Sequence, residues 1–347
     1  MHKTDLTNLS LEQLTEFLVS LGLPKYRGVQ VFAWLYRPHL TDFSQMTDLS
    51  KELRETLAVR ASFDWPRIQE VERSKDGTAK FGFKLPDDSY IEAVLIPEED
   101  RNTLCVSSQV GCAMGCGFCL TGSIGFKRNL TPGEIVGQVV RVRDWLLDTP
   151  DIPAGLSNLV FMGMGEPLAN FDNLLVALDI LLEQRGLDFS ERRITVSTCG
   201  LVPKMVELGQ KTKVNLAVSL HSVDDDIRSR LMPINKKYPV SALLEACRNF
   251  PMPKRKRIMF EYILIRGLND SEADAEMLAQ KLKGIPCKIN LLPYNESVGL
   301  PFRRPTDETI DRFQQVLWKA GYTVMVRSSR GADISAACGQ LAGKMAS

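Results

Sequence analysis

The stretch Gly111-Cys-Ala-Met-Gly-Cys-Gly-Phe-Cys-Leu-Thr-Gly122 spaces three thiols, Cys112, Cys116 and Cys119, in a C-x3-C-x2-C pattern. The loop carries several glycines, so all three thiols can turn toward one point. This arrangement suits three corners of a cubane iron–sulfur cluster, which is held by cysteine thiolates and needs four ligands. Because the loop offers no fourth thiol, we predict that one iron is open to a ligand from outside the protein.

A structural zinc ion is the alternative for this loop. Zinc also needs four ligands, and no second pair of Cys or His residues follows at finger spacing. The chain has 3 histidines in all, which disfavours zinc further. The C-x3-C-x2-C spacing is instead the signature of radical S-adenosylmethionine (SAM) enzymes, in which SAM binds the open iron through its amino and carboxylate groups.

The composition is that of an ordinary globular protein, with 347 residues, 44% of them hydrophobic and 24% charged. This length allows one large domain and an accessory one. No apolar run reaches the roughly 18 residues of a membrane span, and the N-terminus lacks the pattern of a secretory signal. We therefore expect a cytoplasmic protein with no membrane partner. The 8 cysteines, 3 of them clustered, indicate reduced metal-binding chemistry and not a disulfide scaffold.

Hydrophobic periodicity divides the chain into three segments. Residues 1–65 show amphipathic helical stretches, with Ser10 and Gln13 at capping-box spacing, and predict a small helical accessory module that is like an RNA-binding module. Residues 66–102 switch to a period of two and predict an antiparallel β meander. Residues 103–347 alternate apolar strands with helices, which predicts a parallel sheet. About six such units favour an α/β fold of partial (βα)6 barrel type over an open sheet.

In such barrels the working residues lie at the C-terminal ends of the strands. Several chemically interesting stretches fall at these ends. They are the cysteine loop, Gly165-Glu166-Pro167, Ser197, Ser219-Leu220-His221 and Tyr294-Asn295.

Four longer stretches of the sequence indicate which radical SAM enzymes this chain resembles. They are Thr103-Leu-Cys-Val-Ser-Ser-Gln-Val-Gly-Cys112, Gly125-Phe-Lys-Arg-Asn-Leu130, Val218-Ser-Leu-His-Ser222 and Gly331-Ala-Asp-Ile-Ser-Ala-Ala-Cys-Gly-Gln-Leu341. Together they resemble the RlmN/Cfr family of radical SAM RNA adenine methyltransferases, over nearly the whole chain. The resemblance implies a radical SAM core barrel over 103–347, with a catalytic cysteine segment at its C-terminus.

The resemblance also implies an activity. Members of the RlmN type methylate carbon 2 of an adenosine in 23S rRNA, at the peptidyl-transferase centre, and also the adenosine 3′ of the tRNA anticodon. The Cfr type methylates carbon 8 of the rRNA adenosine and confers antibiotic resistance. Both products need the same cluster and thiols, so the spacing of the cysteines does not distinguish methylation of carbon 2 from methylation of carbon 8. The sequences of the motifs favour carbon 2.

The implied cofactors are one 4Fe-4S cluster per chain, held by three cysteines, and two SAM molecules per turnover. The implied partners are 23S rRNA, tRNA and an electron donor of the flavodoxin or ferredoxin type. The SAM contacts implied by the resemblance are Gly165, Glu166, Ser197, Ser219, Leu220, His221 and Asn295. Taken alone, Glu166 can also be a helix-entry residue before Pro167, and His221 is more typical of a core histidine, but the cysteine loop and the strand-end context favour the site for both.

Two separated cysteines, Cys105 and Cys338, match the catalytic pair of the family. The resemblance implies that one SAM methylates Cys338, and that a radical made from a second SAM removes a hydrogen from the S-methyl group. The methylene then adds to adenine, giving a protein–RNA adduct that Cys105 resolves, leaving a Cys105–Cys338 disulfide. Both thiols need thiolate character, so positive charge is expected nearby. Glu92 matches the proton acceptor of the family, or is a strand residue that faces solvent.

The remaining features can also be explained by structural roles or by other classes of protein. Cys199, Cys247 and Cys287 are expected to be packing residues. The net charge of +1 excludes a globally basic RNA binder. Local phosphate contacts or solvated surface are equally open for Lys127-Arg128, Lys254-Arg-Lys-Arg257 and Arg303-Arg304. Two other classes share the cysteine loop: an activase that makes a glycyl radical on a protein partner, and a non-catalytic, zinc-stabilised RNA-binding module.

Overall fold

The computed structural model describes residues 3–152, 155–253, 255–296 and 299–342. The outer ends of the predicted segments 1–65 and 103–347 therefore lie outside the described residues. Within the described part of the chain, none of the helices combines the length and the apolar character that crossing a bilayer requires.

The N-terminal module is helical, as predicted. Its elements are β1 (Thr4–Asp5), α1 (Leu11–Ser20), α2 (Tyr26–Leu35), α3 (Lys51–Arg60) and β2 (Ala61–Ser62). The capping box is confirmed, because the Ser10 hydroxyl accepts from the Gln13 backbone N–H and the Gln13 side chain accepts from that of Ser10. Leu14 and Leu18 on α1 and Phe32 on α2 are fully buried. The short parallel pair β1–β2 was not predicted, since two residues carry no period.

The meander continues directly into the barrel. Its strands are β3 (Arg67–Arg73), β4 (Ala79–Lys84), β5 (Tyr90–Glu98) and β6 (Arg101–Cys105). Each pairs antiparallel with the next, and β6 also pairs in parallel with the first strand of the series that follows. The meander and the barrel thus share one continuous sheet, because β6 belongs to both.

The remainder alternates strands and helices. In chain order the elements are β7 (Gln109–Gly111), α4 (Leu120–Ile124), β8 (Phe126–Asn129), α5 (Pro132–Leu147), β9 (Asn158–Phe161), α6 (Phe171–Leu182), β10 (Ile194–Thr198), α7 (Val202–Lys211), β11 (Asn215–Ser219), α8 (Asp225–Leu231), α9 (Val240–Arg248), β12 (Ile258–Leu264), α10 (Glu272–Lys281), β13 (Cys287–Pro293), α11 (Asp307–Lys319) and β14 (Val324–Val326).

These strands assemble into a ten-stranded sheet in the order β14-β13-β12-β11-β10-β9-β6-β5-β4-β3. The pairs from β6 to β14 are all parallel. Six crossovers therefore link seven parallel strands, which confirms the predicted α/β class and the partial barrel. β7 and β8 lie apart as a two-stranded antiparallel ribbon. This ribbon brackets the cysteine loop.

The helical module docks on α5 through polar and steric contacts. The Asn8 side chain accepts from the Gly133 backbone N–H at 2.9 Å, and the Asp144 carboxylate accepts from the His39 backbone N–H at 3.2 Å. A Cβ at Gly133 would lie 2.0 Å from the Thr7 hydroxyl oxygen. The module is therefore fixed to α5, which directly follows the β7–β8 ribbon that brackets the cysteine loop.

Candidate active site on the inner face of the sheet

The register of the sheet places most of the predicted site residues on one face. Paired residues share a face, and so do residues two apart on one strand. When the pairing is followed from strand to strand, six side chains lie on the same face of the sheet. They are Glu92 on β5, Cys105 on β6, Ser197 on β10, Ser219 on β11, Glu261 on β12 and Asn290 on β13. This row of side chains is called the inner row below. It gathers polar and thiol groups from six strands on one surface.

The cysteine loop is anchored on both sides. The Gly117 N–H donates to the Leu231 carbonyl at the end of α8, and the Leu120 N–H donates to the Gly339 carbonyl in the C-terminal segment. Gly111, which precedes the first thiol, has φ +73°, and a Cβ there would lie 1.8 Å from the Gly125 carbonyl oxygen. The loop geometry therefore needs glycine at this position.

The three loop thiols are electrostatically coupled to one another and to one carboxylate. Cys112, Cys116 and Cys119 are all partly exposed. Cys116 interacts electrostatically with the other two thiols, and Glu166 interacts with both Cys112 and Cys116. Burial raises the pKa of Cys112 to about 11 and also raises that of Cys116. Among the described residues, no group of three or more His, Cys, Asp or Glu side chains has the geometry for a single metal ion.

This donor set fits an iron–sulfur cluster. Three thiols are ligands of the kind that iron–sulfur clusters use, and they are partly open to solvent on a loop fixed at both ends. Cys116 is also electrostatically coupled to the other two thiols. Cys112, Cys116 and Cys119 would hold the cluster.

The turn after β9 brings Glu166 against β10. Gly165 has φ +100°, and a Cβ there would lie 2.5 Å from the Gln109 Cβ. The Glu166 carboxylate accepts hydrogen bonds from the backbone N–H groups of Cys199, at 2.7 Å, and Leu168, at 3.0 Å. Burial raises its pKa, and these hydrogen bonds oppose the increase. The carboxylate thus caps the helical turn after Pro167, as the helix-entry alternative states, and also ties two strand ends together.

His221 has the environment of a core histidine. It is 3% exposed, and its Nδ1 accepts from the Ile263 backbone N–H at 3.0 Å. Burial, assisted by the charge of Arg228, lowers its pKa to about 3, so the imidazole is neutral at physiological pH. Its ring packs edge-on against Phe118 of the cysteine loop, with centroids 4.8 Å apart. The ring therefore supports the loop, and a contact between this ring and a cofactor stays a prediction.

Arg228 on α8 was not singled out from the sequence. It is 0% exposed, and its guanidinium donates to the carbonyls of Cys199, Ser219 and Leu220 and to the Asn235 side chain. It therefore holds the ends of β10 and β11, and it interacts electrostatically with Cys116. A lone arginine in a polar helix gives no sequence signal of burial.

Replacing Arg228 by methionine is expected to destabilise the fold. The change leaves three buried carbonyls and one amide oxygen without their donor, which costs about 3–5 kcal/mol. Urea unfolding followed by circular dichroism measures the loss. Arg230→Met is the matched control, because Arg230 is exposed on the same helix, and its effect is expected within about 0.5 kcal/mol. Equal losses in both variants would contradict the anchoring role.

The C-terminal segment brings Cys338 to the inner row. The Ala342 backbone N–H donates to the Glu92 carboxylate at 3.0 Å, and the Asn295 side chain donates to the Cys338 carbonyl at 3.4 Å. Cys105 and Cys338 interact electrostatically, although they lie 233 residues apart in the chain. Glu92 is 6% exposed, so the alternative of a solvent-facing strand residue is wrong. The structure thus brings Glu92, Cys105 and Cys338 into one region.

The thiols do not have the predicted thiolate character. Cys338 remains accessible to solvent, yet the protein surrounds it closely enough that burial raises its pKa to about 11, with Glu261 and Cys119 adding to the increase. Arg327 supplies the expected positive charge, but burial outweighs it. Burial also raises the pKa of Cys105. Burial therefore favours the protonated form of both thiols.

The other predicted site residues are placed as follows. Gly165, Ser197, Ser219 and Leu220 lie at the C-terminal ends of their strands. Ser197 and Leu220 are buried, and Ser219 is half-buried. Asn295 follows β13 and accepts a hydrogen bond from the Ser329 hydroxyl. These residues lie at the same end of the sheet as the cysteine loop, and their contacts with SAM stay predictions.

The candidate phosphate contacts differ in position. The Arg128 guanidinium is held by Asp87 and Glu134 at 2.7–2.9 Å, which makes it a structural residue. Arg255, Lys256 and Arg257 precede β12 and line a hollow of about 490 Å³ at the N-terminal ends of the strands. They lie at the opposite end of the sheet from the cysteine loop. Lys254 lies outside the described residues.

The fold and the cysteine loop together define the class. Within a partial barrel, three thiols follow the first parallel strand, and an acidic turn follows the second. This is the architecture of a radical SAM enzyme, and the family model for the radical SAM superfamily matches residues 106–278. A second family model, for the N-terminal domain of a ribosomal RNA large subunit methyltransferase, matches residues 4–63.

Individual proteins extend the match to the whole chain. A curated protein of Desulfotalea psychrophila, named dual-specificity RNA methyltransferase RlmN, is 58% identical over 98% of this chain and 95% of its own length. One of the same name from Geobacter sulfurreducens is 54% identical, over 98% and 92%. The crystal structure of a radical SAM methyltransferase from Sphaerobacter thermophilus is 46% identical, with a TM-score of 0.91, over 97% of this chain and 99% of that one. The chain belongs to the RlmN family.

Proposed function

We propose that this radical SAM RNA methyltransferase methylates carbon 2 of an adenosine in 23S rRNA, at the peptidyl-transferase centre, and also the adenosine 3′ of the tRNA anticodon. The observation that carries the proposal is the docking of the C-terminal segment, which brings Cys338 beside Cys105 and Glu92. These residues lie close to the cysteine loop, because Gly339 accepts a hydrogen bond from Leu120.

The names of the matching family model and of the relatives support RNA as the substrate. The N-terminal family model belongs to a methyltransferase of the large ribosomal subunit RNA, and the relatives are dual-specificity RNA methyltransferases. The glycyl-radical activase and the non-catalytic zinc module are overturned by this membership. RNA substrates also support a cytoplasmic location for the chain.

The cofactors follow from the family. A radical SAM enzyme carries a 4Fe-4S cluster and uses SAM. We infer one cluster per chain on Cys112, Cys116 and Cys119, two SAM molecules per turnover, and a reductant of the flavodoxin or ferredoxin type. When bound, this pair of cofactors supplies the methyl group and the radical that removes a hydrogen from it. Adenine carbon 2 is electron-poor and cannot attack a methyl group directly, so radical chemistry is required.

Three side chains of the inner region carry the remaining steps. Cys338 is the methyl carrier and bonds to the adenine through its former methyl carbon. Glu92 takes the proton from the adenine carbon, and the adduct also gives up one electron, for which a cluster held by Cys112, Cys116 and Cys119 would supply the acceptor. Cys105 then attacks the Cys338 sulfur and forms a disulfide, losing its thiol proton in the same step. The bonding electrons of the broken S–C bond stay with the product carbon, which takes up a proton. An external dithiol reduces the disulfide for the next turnover.

The product carbon is tested by mapping nucleosides. Ribosomal RNA and tRNA from a strain that lacks the gene are digested and compared with RNA from the strain complemented by this chain. We expect 2-methyladenosine to disappear from both RNAs in the deletion strain and to return on complementation. Return of 8-methyladenosine instead would assign the Cfr-type activity, and no change in either nucleoside would contradict the proposal.

A further inference from the structure

Lys80 on β4 is a buried lysine to which the proposed function gives no role. It is 9% exposed. It pairs in register with Glu72 on β3 and with Val94 on β5, and Val94 pairs in turn with Cys105 on β6. Paired residues share a face of the sheet, so Lys80 extends the inner row onto β4.

Three oxygen atoms surround the ammonium group of Lys80. Its Nζ donates to the Ile334 carbonyl at 2.7 Å and lies 3.1 Å from Oε1 of Glu72 and 3.8 Å from Oε1 of Glu92. An ammonium group has three N–H donors and no acceptor, so three acceptors suit it. A buried lysine needs such partners, because a charge taken out of water without them is costly.

Two of these contacts connect Glu92 to the segment that carries Cys338. Ile334 belongs to this segment, and its carbonyl is held by Lys80. Further along the segment, the Ala342 N–H donates to Oε2 of Glu92 at 3.0 Å. Lys80 and Glu92 therefore hold the segment on either side of Cys338 in the sequence, and they also pair with each other. The two oxygens of the Glu92 carboxylate are thus fixed by different groups.

The beginning of the segment has separate anchors on the turn between β3 and β4. The Asp76 carboxylate accepts from the Gly331 N–H at 2.9 Å, and the Asp333 carboxylate accepts from the Ser74 hydroxyl at 2.5 Å. These contacts do not depend on Lys80, so the segment stays tethered at its beginning when Lys80 is replaced. What the replacement removes is the link between the segment and the inner face of the sheet.

We propose that Lys80 is a positioning residue, which holds the Glu92 carboxylate and the segment that carries Cys338 in one arrangement. The inference rests on the proposed roles of Glu92 as proton acceptor and Cys338 as methyl carrier. Both groups must reach the same adenine, and an error of about 1 Å in placing a reacting group can cost about 10²-fold in rate. Lys80 meets this requirement because it contacts both the carboxylate and the backbone of the segment.

The first test measures the docking of the segment without turnover. Hydrogen–deuterium exchange is followed by mass spectrometry in the full chain, reconstituted anaerobically with iron and sulfide, with no SAM and no RNA. Lys80→Met removes the charge and the donors and keeps most of the apolar length of the side chain. Peptides that cover residues 334–342 are expected to exchange about tenfold faster, because local opening becomes easier. Strands β9 to β13 are expected to exchange as before.

The second test counts the methylated RNA formed per 5′-deoxyadenosine released. The ratio does not depend on how much of the enzyme is folded, because both products come from the same active molecules. A lysine that is needed only for folding leaves the ratio unchanged. Lys80→Met is expected to lower it about tenfold or more. Lys80→Arg keeps a positive charge and N–H donors, and its ratio is expected to lie between those of Lys80→Met and the unaltered enzyme.

Lys84→Met is the matched control for both tests. Lys84 lies on the same strand, and its exposed side chain pairs with Asp88 at 2.7 Å. Exposed pairs contribute little, so this variant is expected to behave as the unaltered enzyme. Should Lys80→Met fail to fold by circular dichroism, Lys80→Gln takes its place with the same expected results, because the amide keeps a polar end group in the buried site.

The inference and the proposed function fail in different ways. Unaltered exchange of residues 334–342, or an unaltered product ratio, in the Lys80 variant overturns the inference and leaves the proposed function in place. If the unaltered enzyme forms no methylated adenosine in either RNA, the proposed function is wrong, and the exchange measurement still reports whether Lys80 docks the segment.

Discussion

Cys338→Ala is expected to reduce methylated RNA to background while the enzyme still cleaves SAM to 5′-deoxyadenosine. The cluster thiols are on a separate loop, and alanine keeps the backbone contacts of position 338 with Asn295. What disappears is the sulfur that carries the methyl group toward the substrate. Chromatography of 5′-deoxyadenosine and mass spectrometry of the RNA nucleosides measure the two outcomes in one reaction.

Cys287→Ala provides the matched control for this loss. Cys287 is a free thiol that is 5% exposed in the core at the start of β13. Removing it changes packing but no group near the cysteine loop, so product formation is expected to persist. If Cys338→Ala forms methylated RNA above background, Cys338 is not the methyl carrier, whatever the Cys287→Ala control shows.

Cys105→Ala is expected to stop the reaction one step later, with the RNA covalently attached to the protein. Cys105 ends β6 on the inner row and interacts electrostatically with Cys338. Without its thiol, nothing attacks the Cys338 sulfur of the adduct, and methylated RNA is not released. A slow band on a denaturing gel, sensitive to RNase, measures the adduct. Mass spectrometry of the nuclease-treated protein should place the nucleotide on Cys338.

The double variant Cys105→Ala with Cys338→Ala is the control for this trap. It should give no crosslinked band, since the attachment site is gone. Turnover of the single variant with free methylated RNA and no crosslink would remove Cys105 from the mechanism. A crosslink that survives in the double variant would place the attachment on another residue.

The cysteine loop and the fold class could be predicted from the sequence because both depend on local patterns. The spacing of the thiols at 112, 116 and 119 lies within eight residues, and the switch of apolar period marks the three segments. The direction of the chain then identifies the C-terminal end of each strand. The sequence therefore places Glu166, Ser197 and Ser219 at the correct end of the barrel.

The directions of individual side chains could not be predicted in the same way. Whether Glu92 faces water depends on the C-terminal segment, whose Ala342 N–H donates to the Glu92 carboxylate across 250 residues of sequence. The thiolate prediction for Cys338 failed for a related reason. Its pKa depends on the protein packed around it, and most of that protein lies far away in the chain.

The sequence does not identify the buried charged residues, because a charged residue in a periodic pattern is normally interpreted as exposed to solvent. Arg228 lies in a polar helix, and nothing local distinguishes it from the exposed Arg230. Glu261 did leave a signal, since a carboxylate inside an apolar strand is costly to bury unless it has partners. Such a residue in a barrel strand can be treated as a candidate for the site before the structure is known.

The transfer of methyl through Cys338 is tested most directly with SAM whose methyl group carries three deuterium atoms. If a hydrogen is removed from the S-methyl group of Cys338 before the carbon reaches adenine, the methyl group on the RNA retains two deuterium atoms. Mass spectrometry of the methylated nucleoside after several turnovers counts them. Two atoms is the result that the account predicts, and an intact group with three would show direct transfer from SAM and contradict it.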